Sequence, residues 1–76
     1  MKEKIIEAVS NILSISAADL QADPGAYRLS NPVSWDSLAH LSIMSELEEL
    51  LDKELSIAEM EELDTLEKIL NEIGDD

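Results

Sequence analysis

The sequence predicts an all-α fold, a four-helix bundle with a long first connection and a short third helix. Three observations carry this expectation. Apolar residues recur at three- and four-residue spacing in four separate segments. Turn dipeptides, Pro24-Gly25 and Asn31-Pro32, cluster in one stretch between the first two of them. Capping residues stand where the later periodic segments begin. Seventy-six residues make a single domain over residues 1–76, and a chain of this size buries only about 60% of its unfolded surface. With no cysteine and one histidine, His40, neither a disulfide nor a zinc site of nitrogen and sulfur ligands supplements the core. Aliphatic side chains must hold it together.

Ile5, Ile6, Val9, Ile12 and Leu13 place the first helix over about Lys2 to Leu13. The pattern then breaks from Ser14 to Trp35, about twenty residues, which is long for an unstructured connection in so small a domain. Leu20, Tyr27, Leu29 and Val33 are the residues expected to pin it, with a short helical turn around Ala17 to Leu20. The second helix is expected from Ser37 to about Asp52 with Asp36 as its N-cap. On a wheel of about 100° per residue, Leu41, Met44, Leu47, Leu50 and Leu51 share its apolar face. Glu46, Glu49, Asp52, Ser42 and Ser45 lie opposite, with Glu48 at the boundary. Ile57, Met60 and Leu63 suggest the short third helix, from Ser56 to about Leu63. Asp64 is then placed to cap the fourth, paired with Glu67 three residues later. Leu66, Ile69, Leu70 and Ile73 form its stripe, and Gly74 stands where a helix stops.

Eighteen acidic residues against five basic ones leave a net charge of −13. Like-charge repulsion makes nucleic-acid phosphates and anionic lipid headgroups poor partners, whereas a basic protein surface is the natural complement. No apolar stretch approaches the roughly 18 residues that span a bilayer, and no signal-peptide core is present. A cytoplasmic protein without a membrane span is expected. No segment carries the alternating oxygen ligands, central glycine and closing glutamate of a calcium loop, and no dedicated metal site is expected.

The informative stretch is Trp35-Asp36-Ser37-Leu38-Ala39-His40-Leu41, followed by the acidic Ser45-Glu46-Leu47-Glu48-Glu49. Asp-Ser-Leu after a long loop, opening an acidic amphipathic helix, resembles the acyl carrier protein family. Helix order, loop length and size extend that resemblance over nearly the whole chain. It implies a 4'-phosphopantetheine arm, transferred from coenzyme A to Ser37, carrying acyl groups as thioesters, with Asp36 and Leu38 flanking the attachment. It also implies a monomer without catalytic residues of its own. Its partners would be a phosphopantetheinyl transferase and acyl-loading, ketosynthase or acyltransferase enzymes of fatty-acid, polyketide or related pathways. Their basic patches would dock on Glu46, Glu48, Glu49 and Asp52. A peptidyl or aminoacyl carrier would share the fold and the modified serine.

Each of these residues also has a plainer reading. Serine and aspartate are common at helix starts whatever the function, a first-turn leucine can simply pack, and helix acids are most often a solvated face. An unmodified acidic interaction module is the corresponding alternative. Ser37 and His40 are neighbours at i and i+3, but a hydrolase also needs an oxyanion hole and a shaped pocket, for which a small bundle has little surface to spare. His40 lies toward the apolar side of the wheel, where packing against the loop with one hydrogen bond is expected. Many family members place a glycine shortly before Asp-Ser-Leu; Ser34-Trp35 stands here, which leaves the pathway open. The leucines around Met44 fit a closed core and a shelter for an acyl chain equally.

Eighteen carboxylates on so small a body repel one another. Such repulsion is screened over about 10 Å at about 0.1 M salt. Adding monovalent salt at fixed pH should raise the melting temperature, and divalent cations at equal ionic strength should raise it further. A thermal-unfolding series that stays flat or falls with salt would show that attractive pairs already balance the acids.

Overall fold

The computed structural model describes residues 1–74. It contains five α-helices: α1 (Lys2–Leu13), α2 (Ala17–Ala22), α3 (Ser37–Leu51), α4 (Ile57–Glu62) and α5 (Leu66–Glu72), with a 3-10 turn at Pro24–Ala26. The described residues include no strand, so the fold is all-α. The added helix is α2, two residues longer than the turn expected there. Ser16 starts it by accepting the Asp19 amide at 3.2 Å, and Leu20 anchors it with no exposed surface. No helix among the described residues is long and apolar enough to cross a membrane.

α1 buries Ile5, Ile6, Val9 and Leu13, the one-sided stripe its spacing predicts. It packs on α2 and α3, while α5 packs on the 3-10 turn. α1 ends at Ser14 in the left-handed region, φ 59°, and the Ser10 hydroxyl donates to the Ile15 carbonyl just beyond. α3 buries Ile43, Met44 and Leu47. Two positions on this helix differ from the wheel. Leu41 is 57% exposed, and Ile43 is buried in its place. Leu41 lies about 120° round the helix from Leu47, and Ile43 only about 40°. The core-facing arc is therefore centred on Leu47, with Leu50 and Leu51 half-buried at its edges.

The long connection is held differently from the expected set of pins. Leu20 is buried and Tyr27 half-buried, but Leu29 and Val33 are exposed, Val33 at 89%. The largest fully buried side chain in the protein is instead Trp35, at the end of the loop. Backbone pairing supplies the rest. Arg28 and Asn31 exchange two bonds of 2.8 Å, and Ser30 donates to the Trp35 carbonyl. Leu29 donates to the Asp64 carbonyl, and Leu66 donates to that of Tyr27. The loop thereby pairs several of its peptide groups, partly within itself and partly against the start of α5.

This pairing also changes how α5 begins. The expected Asp64–Glu67 box does not form, because the cap position is Thr65 and no side chain accepts there. Asp64 instead accepts from Lys68 Nζ and from the Thr65 hydroxyl, both at 3.2 Å. The Lys68 bond is the main cause holding its carboxyl below the usual carboxylate range; desolvation opposes it, and the Thr65 hydroxyl adds a smaller pull in the same direction as Lys68. α4 does carry a full capping box: the Ser56 hydroxyl accepts the Glu59 amide and the Glu59 carboxylate accepts the Ser56 amide, each at 3.1 Å. Gly74 follows α5 for steric reasons rather than for a positive φ. A Cβ there would sit 2.7 Å from Lys2 Cγ and 2.8 Å from the Leu70 carbonyl oxygen.

The backbone bond from Ser56, then the Ser56 hydroxyl, lower the Glu59 carboxyl from its ordinary value, with Lys53 adding a smaller pull. A carboxyl depressed in the folded state contributes stability above its unfolded pKa, and that contribution disappears as pH falls through the folded value. The Ser56 amide, which the Glu59 carboxylate accepts, should therefore hold its shift from neutrality to about pH 5 and lose it below the ordinary glutamate range, about 4.3. Glu59→Gln keeps a box-forming side chain without a titrating group, so the acid-side change should flatten. Identical profiles for the two proteins by amide NMR would contradict this role.

Candidate functional site

α3 starts where Asp36 accepts the Ala39 amide at 2.9 Å through Oδ1 and the His40 amide at 2.8 Å through its carbonyl. Aspartate is favoured here because its short carboxylate reaches back to the third amide of the helix. Among the described residues, the amides of Ser37 and Leu38 have no hydrogen-bond partner. Ser37, the first residue of this 15-residue helix, is exposed. Leu38 beside it is 76% exposed, so it does not pack.

Ser37 lines a cleft of about 440 Å³ between α3 and α4. Its walls are mainly apolar: Leu29 from the loop, Leu41 from α3, and Ile57 and Met60 from α4, with Glu61 and Asp64 contributing carboxylates. Leu41 follows Ser37 by four residues, so both lie on one face of α3. That relation was present in the sequence: a leucine one turn beyond an accessible serine shares its access. The contributions of Leu29 and Ile57 depend on how the loop and α4 are laid against α3, and no local pattern encodes them.

His40 also lines this cleft, and its two ring nitrogens are both engaged. Trp35 Nε1 donates to Nδ1 at 3.0 Å, and Nε2 lies 2.9 Å from the Met60 carbonyl oxygen. The indole and imidazole rings stack, with centroids 6.0 Å apart and planes inclined by 28°. An indole N–H only donates and a carbonyl only accepts, so the imidazole is neutral with its proton on Nε2. Neither nitrogen has a lone pair left for the Ser37 hydroxyl. Ser37 and His40 are thus neighbours without being a nucleophile–base couple. The single expected hydrogen bond of His40 is in fact two, and they join the loop to α4.

The four acids of the α3 outer surface have unequal surroundings. Glu46 and Glu49 are exposed. Glu48 is half-buried, and its carboxylate accepts the Leu55 amide at 2.8 Å. Leu55 itself is 7% exposed, so Glu48 satisfies a backbone donor that water reaches poorly. Asp52 is the left-handed C-cap of α3, φ 55°, and its amide returns to the carbonyls of Glu48 and Glu49. Ser45, Glu48, Glu49, Asp52, Lys53 and Glu54 border one shallow depression, where Lys53 stands as the basic member. Among the described residues no group of three or more histidine or acidic side chains is arranged to hold a metal ion.

None of the protein-family models, curated proteins or solved structures compared with the chain matches it.

The contrast within the acidic face is measurable. Glu48→Ala should destabilise the protein by about 1–2 kcal/mol in denaturant unfolding, because it orphans the buried Leu55 amide. Glu49→Ala should leave stability nearly unchanged. Equal losses would mean that the Glu48–Leu55 bond contributes nothing net.

Proposed function

We propose that this chain is an acyl carrier protein, holding acyl groups on a 4'-phosphopantetheine arm joined to Ser37. The observation that carries the reading is the placement of Ser37: exposed, first in a long helix, within Asp36-Ser37-Leu38, and bordering an apolar cleft. A hydroxyl at that point is open to a large modifying enzyme, while the helix behind it is anchored through Ile43, Met44 and Leu47.

The residues present fit such an arm. The unpartnered amides of Ser37 and Leu38 and the positive end of the α3 dipole favour a phosphodiester on the serine oxygen. Asp36 keeps the helix start formed through its bond to Ala39, without occupying those two amides. The arm, when bound, supplies a terminal thiol on which an acyl group rides as a thioester, so a chain without cysteine can serve this chemistry. Leu29, Leu41, Ile57 and Met60 give an apolar surface of the kind that shields a hydrocarbon from water. His40 is tied to Trp35 and Met60, so its imidazole is not available as a general base beside Ser37. Exposed Glu46 and Glu49 supply a negative surface on the same helix, which speeds encounter with a basic partner. Glu48 and Asp52 combine that charge with their structural roles.

Treatment with coenzyme A and a broad-specificity phosphopantetheinyl transferase should add one phosphopantetheine, read by intact mass. Ser37→Ala should abolish the addition while leaving the helical circular dichroism intact. Failure of the wild type to react, or reaction of the alanine variant, would overturn the assignment. Paired Glu46→Lys and Glu49→Lys should lower the modification rate by about tenfold at low salt, an effect that shrinks as salt is added. An unchanged rate at low salt would remove the docking role from these two acids.

A further inference from the structure

We infer that Trp35, His40 and Met60 form a proton-sensitive clasp, which holds α4 against the Ser37 cleft and opens when His40 is protonated. Trp35 has no exposed surface, so its indole N–H has no access to solvent and depends on Nδ1 of His40, 3.0 Å away. The same ring donates from Nε2 to the Met60 carbonyl at 2.9 Å. Only the neutral Nε2–H tautomer makes both bonds. A proton added at Nδ1 turns the acceptor into a second donor facing the indole donor. The buried indole then loses its partner, and the ring must swing away from it or be pushed off.

α4 is the element that such a displacement would move. None of its six residues is buried, and its capping box is internal to its own first turn. Among the described residues, the bond from His40 to Met60 is the hydrogen bond that joins α4 to α3. α4 contributes Ile57, Met60 and Glu61 to one side of the cleft, opposite Ser37, His40 and Leu41. Releasing Met60 therefore widens the cleft on the side that faces Ser37. The charged groups around the imidazole are Asp36 at the cap of its own helix, Glu61 from α4, and Asp64, which is paired with Lys68 before α5. The loop side presents the uncharged Trp35. An imidazolium that leaves Trp35 thus meets carboxylates at the cleft, which favour its new position. The clasp exists whether or not Ser37 is modified; its effect on a carried acyl group rests on the carrier reading above.

His40 is the sole histidine and Trp35 the sole tryptophan, so their ring signals in a ¹⁵N-labelled full chain are unambiguous. At about pH 8, long-range ¹H–¹⁵N spectra should show the Nε2–H tautomer. Lowering the pH to about 5.5 spans the histidine range while staying above the ordinary carboxylate pKa values. Across it, the protection of the indole N–H, its exchange rate taken relative to free indole at the same pH, should fall about five- to tenfold, the factor expected for loss of one hydrogen bond. The amides of residues 57–62 should shift with the same midpoint as the His40 ring, and those of α1 should not. In His40→Gln, and in Trp35→Phe, which keeps the bulk but lacks the donor, that midpoint should vanish from the α4 amides. An Nδ1–H tautomer at pH 8, or α4 amides that ignore the His40 midpoint in the wild type, would overturn the clasp. Neither result depends on whether a transferase modifies Ser37, so the two readings fail separately.

Discussion

A tryptophan that is completely enclosed brings a polar atom into the core with it, and the rest of this structure depends on how that atom is satisfied. Trp35 is the largest fully buried side chain among the described residues, and the rest of the hydrophobic core is aliphatic or methionine. Its indole N–H cannot be left unpaired without a cost comparable to the hydrogen bond itself. His40 takes it, and Met60 completes the chain. The end of the loop, the first turn of α3 and the lightly held α4 are thereby fixed to one another. Ser37 lies two residues beyond Trp35 and three before His40, so the same arrangement sets where the serine stands.

That anchor explains why a ten-residue irregular segment, residues 27–36, can be ordered with so little buried side-chain surface. Leu29 and Val33 leave the core, and Trp35 substitutes for both. Backbone hydrogen bonds from Leu29 to Asp64 and from Leu66 to Tyr27 tie the segment to the start of α5. Releasing Leu29 and Leu41 from the core has a second consequence. They become walls of a surface cleft beside Ser37, together with the exposed Ile57. Apolar surface of this kind costs solvation free energy while it faces water, so its concentration around one exposed hydroxyl is a physical reason to regard the region as a site.

The acidic character of the chain is distributed between structure and surface. Glu48, Glu59, Asp36 and Asp64 each accept identified hydrogen bonds, and three of these satisfy backbone amides. Glu46 and Glu49 are solvated charge. A net charge of −13 therefore overstates the uncommitted acid on any one face. It also shows why the four acids of the α3 surface are not interchangeable as partner contacts. Removing Glu48 exposes an unsatisfied amide near the core, whereas removing Glu49 alters mainly the field.

The sequence by itself determined the helical class, the approximate limits of α1, and the Asp36 cap with Ser37 following it. These rest on interactions between residues no more than four apart, which periodicity and side-chain chemistry express directly. The apolar face of α3 was legible only to within about a third of a turn, because leucines at several angles around a short helix satisfy the period equally. Tertiary structure alone decided that Leu41 faces out and Ile43 in, that Trp35 rather than Leu29 and Val33 anchors the loop, and that Asp64 turns to Lys68 instead of capping α5. It also decided that His40 bridges two elements. Each of those outcomes depends on which segment arrives from far along the chain to fill a space or accept a proton, and no local pattern carries that information.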